Sequence, residues 1–429
     1  MTNTENMRQI ALESLIEILE KKQYANLIEN QVLTKYAYLE KRDRAFYTRL
    51  VEGTLERLVT LDYYINAVSK VPVKKQKPLI RTLLRMSVYQ ILYMDSVPDS
   101  AAINEAVKLA KKRGFASLSG FVNGVLRNLS RQRDQIAPPK DLATVYSYPQ
   151  WMVSYFMEQY PAEKVEEILH HLNLPQDLIV RVNLQMNTVE QLQKELKTCG
   201  ITAVPVPETS CGLALSQIDR LTDLDAFVQG KFYVQDASSM MVAEHAGIRE
   251  GDYVIDVCAA PGGKSTHAAQ ILNGTGCVDS RDLTEYKVSL IEENINRLRL
   301  SNMTAKVWDA TVLDESVVNR ADVVICDAPC SGLGVMGKKK DIRYRVTRED
   351  ITELSHLQMK ILENAKCYVK NGGTLLYSTC TITREENEQV VEQFLKNNPD
   401  FTLEMQRQIL PHEIGNDGFF FAKMKKNQG

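Results

Sequence analysis

The sequence is poor in the residues that mark several protein classes. Its 429 residues include eight cysteines, under ~2% of the chain and far below the density of a disulfide scaffold. No Cys-x-x-Cys pair occurs, and no Cys/His ladder has zinc spacing, so no metal ligands are expected. No stretch approaches ~18 uninterrupted apolar residues, so no transmembrane helix is expected. The N-terminal segment carries Glu5, Glu13, Glu17 and Glu20, which argues against a signal or transit peptide. At 44% hydrophobic and 25% charged, the chain is neither disordered nor collagenous. A cytoplasmic protein with reduced thiols is expected, too long for one ordinary domain.

What is present is uneven. Net charge is −2, yet residues 1–140 hold 23 Lys and Arg against 14 Asp and Glu, and the remainder 29 against 40. Such asymmetry suggests a basic module for a polyanion joined to a domain with another task. Residues 7–135 carry apolar stripes of helical period at Ile10–Leu19, Asp43–Leu58, Leu79–Tyr93, Ala101–Lys112 and Val122–Leu129. An all-helical bundle over 1–140 is expected. Its basic clusters (Lys74, Lys75, Lys77, Arg81, Arg85; Lys111, Lys112, Arg113; Arg127, Arg131, Arg133) are candidates for docking phosphates.

After a linker at 137–140, residues 145–235 read as a small α+β unit. It has helices at Met152–Tyr160 and Ala162–Leu172. Short strands are expected at Leu178–Val182, Ile201–Val206, Gly212–Leu215 and Lys231–Gln235. Thr188 with Gln191 three residues on is a capping box, opening a helix that runs to Cys199. From Val254 the pattern becomes repeated βα units with near-continuous apolar strands, which predicts a doubly wound parallel sheet over 236–429. Ligands of such sheets bind where the strands stop.

The first of these strands ends in Asp256-Val257-Cys258-Ala259-Ala260-Pro261-Gly262-Gly263-Lys264-Ser265. A Gly-rich turn at a helix N-terminus lets a ligand approach the backbone. Gly263-Lys264-Ser265 resembles the end of a phosphate loop, but that motif needs Gly at 258, where Cys258 stands. Asp282, at the end of the second strand, is suited to ribose hydroxyls. Asp309, after the third, is suited to an adenine amino group. A nucleoside ligand without a fitted phosphate site suggests S-adenosylmethionine.

The fourth strand runs into Asp327-Ala328-Pro329-Cys330-Ser331-Gly332-Leu333-Gly334, and the next ends in Ser378-Thr379-Cys380-Thr381. Buried cysteines are usually small hydrophobes, and Cys326 and Cys367 fit that description. Cys330 and Cys380 instead leave strand ends beside the expected cofactor. A metal site from Cys326 and Cys330 is a weaker alternative. C5 of cytosine is a poor nucleophile. A thiolate adding to C6 makes the ring enamine-like, so that C5 can attack a sulfonium methyl. An acid such as Asp327 acting at N3 would assist the addition.

The runs CAAPGGK, DAPCSGLG and STC followed by EENE resemble the Sun-type RNA (cytosine-5) methyltransferases. The resemblance extends to Val234-Gln235-Asp236-Ala237-Ser238-Ser239 upstream and Asp417-Gly418-Phe419-Phe420 downstream. The helical N-terminus resembles the NusB-type RNA-binding fold, and Arg181-Val182-Asn183 resembles the family's small RNA-binding domain. That combination is similar to the RsmB branch.

The resemblance implies three parts: a NusB-like bundle, a small α+β RNA-binding domain, and a Rossmann-like methyltransferase domain. It implies 5-methylcytidine formation in 16S rRNA, at the cytosine conventionally numbered 967; the RNA is naked or in an early particle, and a monomer is the simplest expectation. No DNA or membrane partner is implied. It makes Cys380 the nucleophile and Cys330 the thiol linked to product release; chemistry alone does not rank the two. Cys258, Ala259, Ala260, Pro261, Gly262, Gly263, Lys264, Asp282, Asp309 and Asp327 match cofactor-binding positions. Another RNA such as tRNA, or a non-catalytic assembly factor, are the alternatives.

Lys340 stands just before Asp341-Ile342, where relatives usually carry Pro. The run Lys338-Lys339-Lys340 with Arg343, Arg345 and Arg348 is expected to clamp RNA phosphates, and Tyr344 to stack on a base.

Overall fold

A computed structural model describes residues 6–218, 220–413 and 417–428. Contacts divide the chain into two compact units. One is Met1–Asn173 with Lys338–Arg345, and the other is Leu174–Gly337 with Val346–Gly429.

The first unit is helical, with long helices at Met7–Leu19, Ala25–Lys35, Lys41–Glu56, Leu58–Val68, Pro78–Tyr93, Asp99–Lys112 and Ser119–Gln132. The Asn6 side chain accepts from the backbone N–H groups of Arg8 and Gln9 and so opens the first helix. Pro78 sits at the start of its helix, where its missing N–H costs nothing. Helical periodicity turns Leu12, Leu15, Leu50, Leu83, Leu84 and Leu126 into one core, all fully buried. Shorter helices at Gln150–Gln159 and Ala162–His171 belong to this unit by their contacts.

One expectation for this unit is narrowed and one is overturned. Most of the arginines proposed to dock phosphates already have carboxylate partners. Arg81 pairs with Glu20, Arg85 with Asp62 at 2.6 Å, Arg113 with Glu13 at 2.6 Å and Arg133 with Asp99 at 3.4 Å. Lys74, Lys75, Lys77 and Lys111 remain exposed.

Of the segment expected as an RNA clamp, Lys338 and Lys339 stay exposed, but residues 340–345 dock on the helices. Lys340 Nζ lies 3.1 Å from Glu52 and 3.3 Å from Glu56. Arg343 is fully buried; it donates to Asn173 Oδ1 at 2.7 Å and sits 4.0 Å from the centroid of the Tyr148 ring. The Tyr344 hydroxyl donates to the Ser147 carbonyl at 3.2 Å, and Arg345 lies over Tyr24. Both terminal guanidinium nitrogens have protein acceptors, which leaves little of Arg343 or Tyr344 for a nucleic acid. Arg348, in the second unit, pairs with Glu385 at 2.8 Å.

The second unit opens with a four-stranded antiparallel sheet of order β2-β3-β1-β4, made of β1 (Leu178–Val182), β2 (Thr202–Pro205), β3 (Gly212–Ser216) and β4 (Phe232–Val234). The Thr188–Gln191 capping box is formed and opens Val189–Thr198. Arg181 and Asn183, in the segment compared with an RNA-binding domain, are buried. Arg181 donates to Gln235, to the Gly263 carbonyl at 2.6 Å and to Thr266 Oγ1 at 2.8 Å. It is therefore a strut against the helix that follows the Gly-rich turn.

The larger sheet contains β5 (Tyr253–Asp256), β6 (Cys277–Asp282), β7 (Met303–Val307), β8 (Ala321–Asp327), β9 (Val369–Thr379), β10 (Phe401–Ile409) and β11 (Phe419–Lys426), in the order β10-β11-β9-β8-β5-β6-β7. The five strands β5–β9 are parallel, β11 runs antiparallel to β9, and β10 pairs antiparallel with β11. The sheet is thus mixed rather than wholly parallel. Phe420, Phe421, Ala422 and Met424 of β11 are fully buried against its core. The strand order reverses between β5 and β8, which opens the ligand crevice at their carboxyl ends.

Candidate active site

Asp256 ends β5 fully buried. It accepts from Ser265 Oγ at 2.5 Å and from the Cys258 N–H at 3.3 Å. Burial pushes its carboxyl up to about 7. The chain then turns through Gly262, whose φ of +105° is open to glycine and strained for other residues. It enters the helix Gly263–Ile271 with no side-chain cap at Gly262. Such an uncapped N-terminus favours a polar or anionic ligand group. Cys258 is largely buried, and its thiol is pushed well up by desolvation, so it is a poor nucleophile.

Asp282 closes β6 and accepts from the Ala260 N–H at 2.9 Å, the Leu283 N–H at 2.8 Å and Lys287 Nζ at 2.9 Å. It is tied to the turn and keeps a lone pair for a further donor. Asp309 lies beyond β7, exposed. Bonds from the Thr311 N–H and hydroxyl, each 2.8 Å, hold its carboxyl below the usual range. Leu283 and Val312, next to these acids, are more than half exposed, apolar walls of the size a nucleobase covers.

At the end of β8, Asp327 accepts from Lys264 Nζ at 2.6 Å and from Ser378 Oγ at 2.8 Å. The Lys264 ammonium also lies 5.1 Å from the centroid of the Phe419 ring. Three residues past Asp327 and two past Ser378 come the thiols. Cys330 Sγ and Cys380 Sγ are 3.3 Å apart, so the pairing expected from the strand ends is realised. The Cys330 thiol is held well above its ordinary range, first by its hydrogen bond with Cys380, then by burial, then by the charges of Cys380 and Glu386. Cys326 is fully buried, as expected of a core hydrophobe.

Three connections were not read from the sequence. One is the Lys264–Asp327 pair. The second is Glu386, a carboxylate within the EENE run that accepts from the Ser331 N–H at 2.8 Å and from Ser331 Oγ at 2.5 Å. The third is Gly334, whose N–H donates to the Cys380 carbonyl at 3.1 Å and whose carbonyl accepts from the Gly418 N–H at 2.8 Å. Away from these residues in sequence, Cys211, Glu244 and His267 form one further polar group. Cys211 Sγ is 3.9 Å from His267 Nε2 and 3.7 Å from Glu244 Oε1.

Comparison with known proteins agrees with this geometry. Residues 245–425 match the family described as 16S rRNA methyltransferase RsmB/F. Residues 5–131 match the NusB family, and residues 148–220 match the ferredoxin-like domain of RsmF/B-like methyltransferases. The probable ribosomal RNA small subunit methyltransferase B of Bacillus subtilis is 37% identical, over 98% of this chain and 99% of that protein. The ribosomal RNA small subunit methyltransferase B of Proteus mirabilis is 32% identical, over 99% and 100%. The crystal structure of PH0851 superposes with a TM-score of 0.84 at 25% identity, covering 99% of each chain. The larger sheet is thus a Rossmann-like, S-adenosylmethionine-dependent methyltransferase fold. With its NusB-like and ferredoxin-like parts, the chain belongs to the ribosomal RNA small subunit methyltransferase B family.

Proposed function

We propose that the protein forms 5-methylcytidine in 16S rRNA, at the cytosine conventionally numbered 967, through a covalent adduct between Cys380 and C6 of the base. The observation that carries this reading is the pair of thiols 3.3 Å apart at the ends of β8 and β9. One thiol acts as nucleophile and the other serves the release of product.

The cofactor-binding residues are Cys258 through Lys264, Asp282, Asp309 and Asp327. The spare lone pair of Asp282, the uncapped helix N-terminus and the apolar Leu283 and Val312 fit a nucleoside with an amino-acid tail. S-adenosylmethionine supplies an electrophilic methyl group when bound.

The Cys380 thiolate adds to C6, forming an S–C6 bond and making C5 nucleophilic. The proton given up by the Cys380 thiol passes to N3 as the S–C6 bond forms and is released again when C5 attacks; Asp327, which accepts from Lys264 and Ser378, holds the amino and N3 edge of the cytosine. C5 takes the methyl group as its bond to the cofactor sulfur breaks, which leaves the cofactor as the thioether. The C5 proton then passes to water, and the Cys330 thiol, 3.3 Å from Cys380 Sγ, donates to the departing sulfur. The electron pair left behind restores the C5–C6 double bond as the S–C6 bond breaks. The target base must be unpaired or flipped out.

On this reading residues 1–140 and 145–235 bind RNA, residues 236–429 carry the chemistry, and the protein acts as a cytoplasmic monomer on naked rRNA or an early particle. The test is methyl transfer from labelled S-adenosylmethionine to deproteinised 16S rRNA, followed by nucleoside digestion. Label in 5-methylcytidine is expected. Label in another nucleoside refutes the chemistry, and transfer to tRNA alone refutes the substrate.

A further inference from the structure

Behind the two thiols lies a carboxylate with no cationic hydrogen-bond partner among the described residues. Glu386 is fully buried. Its Oε1 accepts from the Ser331 N–H at 2.8 Å and Gln358 Nε2 at 3.1 Å, and its Oε2 from Ser331 Oγ at 2.5 Å and Thr383 Oγ1 at 2.8 Å. Four neutral donors for one buried carboxylate is a costly arrangement, retained here at the junction of both cysteine loops.

Ser331 follows Cys330 directly. Because its hydroxyl donates to Glu386, it accepts from Thr381 Oγ1 at 2.8 Å, and Thr381 follows Cys380 directly. Gln358 also donates to the Pro329 carbonyl at 2.9 Å, on the other side of Cys330. Resting on the thiol chemistry proposed above, we propose that Glu386 is a positioning residue for the cysteine pair. It ties the Cys330 loop to the Cys380 loop and places its negative charge on the Cys330 side, leaving attack to Cys380.

Burial raises the Glu386 carboxyl and its Ser331, Thr383 and Gln358 donors pull it partly back down. Its charge adds to the Cys380 hydrogen bond and the burial that already hold the Cys330 thiol protonated. The other titratable groups around the pair are Tyr377 and Asp327. Tyr377 donates to the Glu386 carbonyl at 2.6 Å, and its own hydroxyl is held protonated by burial and by Cys326, Glu386, Cys330 and Asp327. Neither supplies a positive charge that would cancel Glu386.

The experiment compares Glu386→Gln with the wild-type chain. In a Cys380→Ala background, the pH profile of Cys330 alkylation by iodoacetamide is read by mass spectrometry. Removing the charge is expected to move that profile to lower pH. In the Cys380-intact chain, Glu386→Gln is expected to lower kcat by ~10-fold or more with KM for RNA unchanged, the signature of lost positioning. Ser331→Ala keeps the charge and cuts only the hydroxyl bridge. It is expected to lower kcat by about 5-fold with the alkylation profile unmoved.

An unmoved profile in Glu386→Gln, even with activity and thermal stability both reduced, overturns the charge assignment. Wild-type kcat in Ser331→Ala overturns the bridge, including if Glu386→Gln does not fold. The alkylation readout needs no RNA, so it stands apart from product analysis of the wild-type chain, which tests the proposed reaction itself.

Discussion

Replacing Arg343 separates two readings of the basic 338–345 segment. In the structure its guanidinium donates to Asn173 Oδ1 at 2.7 Å, to the Glu56 carbonyl at 3.3 Å and to the Leu172 carbonyl at 3.4 Å, and it stacks on Tyr148. Hydrogen bonds to a charged group contribute about 1.5–3 kcal/mol each when well formed, and the two longer ones contribute less. Arg343→Ala also opens a cavity beside a buried aromatic ring. Together these give a loss of about 3–5 kcal/mol for the helical unit, in line with breaking other buried charged networks. For a unit of this size each kcal/mol moves the transition by roughly 2–4 °C. The helical transition, followed by calorimetry on the full chain, is therefore expected to fall by about 6–20 °C. Arg343→Lys is expected to recover little, because an ammonium cannot reproduce the planar fork or the stacking. A phosphate clamp predicts the opposite pattern. Stability would be unchanged, and the salt dependence of RNA binding would drop by about one charge. That result would refute the docking argument.

Two other perturbations follow from the site. A Cβ at Gly334 would lie 2.0 Å from the Gly418 carbonyl oxygen and 2.9 Å from that of Cys380. Gly334→Ala is thus expected to cost at least 1–3 kcal/mol, about the range of overpacking, and to abolish methyl transfer; wild-type activity would show that this backbone junction is dispensable. Asp256, raised to about 7 by burial, holds a proton in the folded state that the unfolded chain releases near its ordinary value. Its contribution is fully present below about pH 4 and is lost as pH rises through about 7. Asp256→Asn is therefore expected to gain stability relative to wild type between pH 5 and 8; a difference independent of pH in urea titrations would contradict the shift.

Part of the catalytic sheet was legible because β5 and β8 are short apolar runs that stop at Asp256 and Asp327, and in the smaller sheet's region Thr188 and Gln191 announce a helix start. The helix Ala25–Lys35 was not singled out: its stripe of Ala25, Ile28, Val32 and Leu33 is short and only partly buried, with Ala25 alone fully covered. The strand Phe401–Ile409 was also missed. Its partner Phe419–Lys426 reads as an apolar motif, and its antiparallel placement depends on pairing that no local pattern encodes. The 338–345 segment misled because a run of Lys and Arg looks solvated, whereas its partners Glu52, Glu56 and Asn173 lie more than 160 positions away. Asp327 and the two cysteines could be singled out one by one. The Glu386 network could not, since its donors come from Ser331, Gln358 and Thr383.

The most direct test of the central claim is the covalent intermediate. Cys330→Ala and Cys380→Ala variants are incubated with S-adenosylmethionine and 16S rRNA, and protein–RNA adducts are resolved under denaturing conditions. The account predicts that an adduct accumulates in Cys330→Ala and is absent from Cys380→Ala. An adduct that requires Cys330 would reverse the two roles, and no adduct in either variant, with 5-methylcytidine still formed by Cys380→Ala, would contradict thiol catalysis altogether.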